Sequence, residues 1–253
     1  MIRVVVLLAI TVACQTREVP PDPPVTGKEA APPETPVTPP LAPDADSASV
    51  QEHMRAHFAA VVDVQRAITR GHLDRAHEAA KRILTHEEPA IEGGAPFVAE
   101  MKRAAEAVIA AKDLPTAGTS AAVLGYTCSR CHEATNAVIA FAWEPQPEPD
   151  GSLRVQMQRH QWAAARLWEG LVGPSDEMWS QGSEALATAE LDALAAGRGV
   201  ARGDVQALAS HVRDLAKSAR STALGAERQK LYGDLLSTCA GCHQLVRPAP
   251  VGP

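Results

Sequence analysis

The sequence predicts an all-α fold arranged as two tandem four-helix bundles, and three observations carry that expectation. After Ser47 the chain is rich in alanine, leucine, glutamate, arginine and valine, with few aromatics and almost no alternating apolar pattern, which is helical composition. A polar break, EPQPEPDGS from Glu144 to Ser152, divides this body into two parts of similar length. Each part ends on the same skeleton, TCSRCHEA from Thr127 and TCAGCHQL from Thr238. A chain of 253 residues also has room for two domains of about 100 to 125 residues each.

The start, MIRVVVLLAITVAC, sets Arg3 before an apolar run from Val4 to Ile10, then small residues ahead of Cys14. Residues 1–13 therefore read as a cleaved export signal, too short to span a bilayer. The TVAC end resembles a bacterial lipoprotein signal, which implies that Cys14 becomes the lipidated first residue. Thr11 stands where that family usually has leucine, and an ordinary secretory signal cut elsewhere is the other reading. Gln15 after the cysteine resembles the pattern that sorts lipoproteins to the outer membrane, so the expected location is the periplasm or cell envelope, with a membrane contact through the lipid. Residues 14–47 are rich in proline and small polar residues and read as an extended tether. The net charge of −6 comes with no basic patch and argues against a nucleic-acid partner.

The first bundle, 48–143, is expected to hold four helices. One runs from about Val50 to Arg70 and stops at Gly71, and a second runs from about Leu73 to Thr85. HEEPAIEGGAP separates a third, about Phe97 to Lys112, and DLPTAG a fourth, about Thr119 to Phe141. A linker over 144–152 leads to the second bundle, 153–247, and a tail over 248–253. The second bundle repeats the plan with weaker punctuation: GPSD from Gly173, AAGRG from Ala195, and Gly225 near the start of its last helix. Short connections between long amphipathic helices favour antiparallel packing.

Both parts also begin alike. MRAHF (Met54 to Phe58) and MQRHQ (Met157 to Gln161) share MxxH, so each part runs from MxxH to CxxCH, the order expected of an internal duplication.

CxxCH is the attachment sequence of c-type haem: two thiols add across the vinyl groups, and the adjacent histidine is placed to ligate the iron. At i, i+3 and i+4 of a helix, Cys128, Cys131 and His132 share one face, as do Cys239, Cys242 and His243. Two other chemistries use CxxC pairs. A redox dithiol is expected within a βαβ pattern that this chain lacks, and a single zinc site would require two distant helices to converge while leaving the paired histidines unexplained. Two covalently bound haems account for all six residues.

A four-helix bundle whose last helix ends in CxxCH resembles the class II cytochromes c, the cytochrome c′ group and its low-spin relatives. The resemblance covers each half separately, about Ala48 to Ala142 and about Leu153 to Val246, and the duplication, the leader and MxxH depart from it. It implies that the first helix of each bundle meets the far side of the iron. There Met54, His57, Phe58, Val61, Gln65 and Ile68 share one helical face, as do Met157, His160, Ala164, Leu167, Trp168 and Leu171. Histidine is the costlier residue to keep on such a face without a partner, which favours His57 and His160 as sixth iron ligands over Met54 and Met157. His53 ranks lower because Gln156 stands opposite it in the repeat, and His72, His77, His86 and His211 are expected at the surface. Trp143, Trp162, Trp168 and Trp179 fit either a haem edge or ordinary core packing.

The function so implied is an exported dihaem electron carrier that exchanges electrons with redox partner proteins and has no catalytic residues of its own. A gas-binding protein of the cytochrome c′ kind is the alternative, with a dihaem peroxidase third.

Overall fold

The computed structural model describes residues 45–190 and 202–246. Among these the chain is entirely helical outside its loops: α1 (Ala45–Thr69), α2 (Leu73–Thr85), α3 (Ala95–Ala110), α4 (Leu114–Ala134), α5 (Leu153–Val172), α6 (Asp176–Ala187), α7 (Arg202–Ala219) and α8 (Ala226–Val246). Residues 1–44, which include the leader, Cys14 and nearly all of the tether, lie outside the described residues, as do AAGRG and the tail. No described helix is long and apolar enough to cross a membrane.

Local chemistry sets the helix ends. Gly71, at φ 75°, closes α1 with His72 N–H bonded to the Ala67 carbonyl, a left-handed cap that glycine adopts without strain. At the start of α4 the Asp113 carboxylate accepts the Thr116 N–H at 2.7 Å, and Pro115 fits the first turn because no helical partner awaits its missing N–H. DLPTAG is therefore the beginning of α4, five residues ahead of the expected Thr119. The same helix ends at Ala134 rather than Phe141, because Asn136 turns left-handed at φ 52° and Ala137 N–H bonds back to the His132 carbonyl. Ser152 and Ser175 cap α5 and α6 by accepting the N–H groups of Val155 and Met178.

Within each half, successive helices pack on one another, and the first also touches the last: α1 on α4, and α5 on α8. The halves are not separated. The described residues form one compact unit whose buried core runs without a break from α1 to α8. The long seam is α4 against α8, closed by two glycines. A Cβ on Gly118 would lie 3.2 Å from the Leu236 side chain, and one on Gly233 would lie 3.3 Å from Thr119 Cα. The Ser237 hydroxyl also reaches the Pro115 carbonyl at 3.3 Å. These pairs run in opposite order along the two helices, so α4 and α8 are antiparallel. Two further contacts cross the seam, α1 with α8 and α4 with α5, and they correspond to one another if one half is rotated onto the other. The last helices of the two halves carry the pairing.

The polar break between the halves is pinned to α5. Trp162 Nε1 donates to the Glu144 carbonyl at 2.9 Å, Arg159 donates to that of Pro147, and the Phe141 ring lies 5.3 Å from that of Phe58.

Candidate functional site

The register of α4 on α8 fixes where the two CxxCH segments lie. Each sits in the last turns of its helix, level with the first turn of the other, so at 1.5 Å per residue the two cysteine pairs are roughly 25 Å apart along the seam. A tetrahedral zinc ion needs its four sulfurs at about 2.3 Å from one point, so the two pairs cannot share one ion. The helices that sequence reasoning took to be distant are neighbours, and it is their opposed direction that separates the motifs.

All four cysteines are free thiols on inward or half-buried faces. Burial pushes Cys128 and Cys239 up to about 12, with the neighbouring Cys131 and Cys242 adding to the shift, and burial raises Cys131 and Cys242 as well. A thiol held protonated is a poor nucleophile, which disfavours dithiol exchange.

In the second half the candidate residues converge. Met157 and His160 on α5 and His243 on α8 line a cavity of about 420 Å³, shared with Phe58, Gln65 and Trp168. A smaller void between the same three residues is bounded by Cys239 and Cys242. His160 Nε2 is buried and has no hydrogen-bond partner among the described residues. Burial holds the ring down to about 4, with His243 opposing protonation further, so the imidazole is neutral near pH 7 and its lone pair is available. A buried imidazole nitrogen without a partner is costly unless something binds it.

The first half differs. His132 Nδ1 lies 2.9 Å from the Val172 carbonyl at the end of α5, so the proton sits on Nδ1 and leaves Nε2 as the free lone pair, the arrangement typical of a metal-ligating histidine. Met54 and His57 are on α1, half-buried and buried respectively. His57 faces His53 and His86, with ring centroids at 4.3 and 4.9 Å, and its Nε2 lies 3.3 Å from Glu88 Oε1, without hydrogen-bond geometry. Burial lowers His57 to about 4, against the opposing pull of Glu88. Glu88 also accepts from His53 at 2.9 Å, and its charge reaches Cys128, which ties this cluster to the first CxxCH.

His86 is thus half-buried within the cluster, contrary to its expected surface position, while His211 is exposed as expected. Glu88 was missed altogether, because HEEP read only as a break after α2. Also unforeseen was a polar girdle beside the cavity. Gln65 donates to the Tyr232 hydroxyl at 3.2 Å, Tyr232 donates to the Ala164 carbonyl at 3.1 Å, and Arg166 pairs with Glu169 at 2.8 Å, all buried. Burial raises Glu169 to about 7, only partly offset by Arg166. The i, i+3 spacing of Arg166 and Glu169 on the inward face of α5 was the available signal. Trp168 and Trp179 are core residues, the latter donating to the Ala219 carbonyl at 2.8 Å, whereas Trp143 is 75% exposed.

No protein-family model, no curated protein and no solved structure matches the chain.

Proposed function

We propose that the chain is an exported dihaem c-type cytochrome that carries electrons between redox partner proteins, each half acting as a class II-like bundle around one haem. The observation that carries this reading is the partnerless, buried Nε2 of His160 in the cavity it shares with His243. Cys128 and Cys131, and Cys239 and Cys242, would hold the two groups covalently, with His132 and His243 as the near-side iron ligands. In the second half His160 would close the far side, with Met157 the alternative. In the first half Met54 and His57 share the face, and the crowding of His57 by the His53 and His86 rings favours Met54.

A haem, once bound, supplies an iron that gains or loses one electron. What the chain contributes is ligation, exclusion of water and a fixed geometry. The Val172 carbonyl orients His132, and the neutral His160 offers its lone pair without first shedding a proton. A far side closed by a protein ligand leaves no position for a gas or peroxide, which favours electron transfer over the gas-binding and peroxidase alternatives. Lipidated Cys14 and the tether would hold the carrier at a membrane of the cell envelope.

The test is the mass of the matured protein. It should exceed that of the chain without residues 1–13 by two haems plus any lipid, and Cys128→Ala/Cys131→Ala and Cys239→Ala/Cys242→Ala should each lose one haem. A mature chain without covalent haem would refute the reading.

A further inference from the structure

We propose that His53, His57, His86 and Glu88 form a binding site for a divalent transition-metal ion, with zinc the best match, beside the first CxxCH segment and using none of its residues. The proposal rests on the haem reading at one point only: it assigns His57 to this site and so leaves Met54 to the first iron.

The geometry is that of a ligand set drawn together from two elements. His53 and His57 stand one turn apart on α1, so their rings project from one face. His86 caps the end of α2, and Glu88 follows in the next loop. One ligand atom from each of the three histidines lies within 4.8 Å of those of the other two. A tetrahedral zinc with bonds of about 2.1 Å would bring such atoms to about 3.4 Å, a closure that small ring rotations supply. Glu88 lies 2.9 Å from His53 and 3.3 Å from His57, in reach as the fourth ligand.

Two further observations point to a bound ion. His57 is 7% exposed, and its Nε2 has no hydrogen-bond partner among the described residues. Glu88 Oε1 is buried and equally without one. Three imidazoles and one carboxylate are borderline nitrogen and oxygen donors, the set that suits zinc, copper or nickel rather than calcium or magnesium. Lys102 approaches from α3, its Nζ 3.5 Å from the His86 carbonyl. Among the described residues the second half shows no such cluster, and Gln156 stands opposite His53 in the repeat.

The experiment is a calorimetric titration of the full matured protein, first stripped with a chelator, with Zn²⁺, while the visible spectrum is recorded. Saturable binding of a single zinc ion per chain is expected, with the spectrum unchanged. His53→Ala and His86→Ala should each weaken binding roughly tenfold or more while keeping the helical circular dichroism, and His211→Ala, on an exposed control position, should bind as the parent does. Absence of saturable binding, or binding indifferent to both cluster variants, overturns the site. So does loss of low-spin haem bands on adding zinc, because it would mean that the iron holds His57. If the protein carried no haem, the zinc titration would still give its own answer, so the two readings fail separately.

Discussion

His160 and Glu169 show how burial sets chemistry one residue at a time. Both line the larger cavity, and desolvation moves both towards the neutral form: the imidazole down to about 4 and the carboxyl up to about 7. For Glu169 the folded value lies above the unfolded one, so its contribution to stability is fully present below about pH 4.3 and is lost as pH rises through about 7. Glu169→Gln, which keeps the shape and cannot ionise, should remove this dependence. Urea midpoints of the parent relative to Glu169→Gln should fall between pH 5 and pH 8. A constant difference across that range would show that Arg166 keeps Glu169 ionised throughout.

At the level of helices, glycines decide which faces meet. A Cβ on Gly125 would stand 2.7 Å from the Trp168 ring, closer than real contacts allow, and both atoms belong to the seam between α4 and α5. Gly125→Ala should therefore cost about 1 to 3 kcal/mol and shift the Trp168 fluorescence, measurable by urea unfolding. An unchanged midpoint would mean that the ring moves aside freely. The helices themselves were legible in the sequence. Gly71 ended α1 as expected, α2 has the expected limits, and CxxCH fell in the last turns of α4 and α8. Three ends were misread: α1 starts at Ala45, five residues before the expected Val50 and inside the expected tether, Asp113 before a proline is a cap, and Asn136 takes a left-handed turn that composition alone does not announce. The near-side histidines and cysteines were legible because motif spacing is a local property. Glu88, His86 and Tyr232 were not, because their roles depend on which helices become neighbours. The seam between α4 and α8 depends on glycines that carry no periodic signal.

For the whole molecule, the antiparallel seam turns a repeated sequence into two sites at opposite ends of one core. The separation of the CxxCH segments, roughly 25 Å along the seam, follows from that register, and α5 reaches from one site to the other: His160 faces His243 near its start, and the Val172 carbonyl meets His132 at its end. The two ends are not equivalent: among the described residues, a cluster of histidines stands at the first alone. On the proposed function this frame holds two haems whose irons are closed on both sides by the chain. The optical spectrum of the matured protein, oxidised and reduced, with and without carbon monoxide, beside that of His160→Ala, tests this. Sharp low-spin bands unaffected by carbon monoxide are expected in the parent, and carbon monoxide binding at one haem of the variant. A parent spectrum that is high-spin and shifts with carbon monoxide, or that contains no haem, would contradict it.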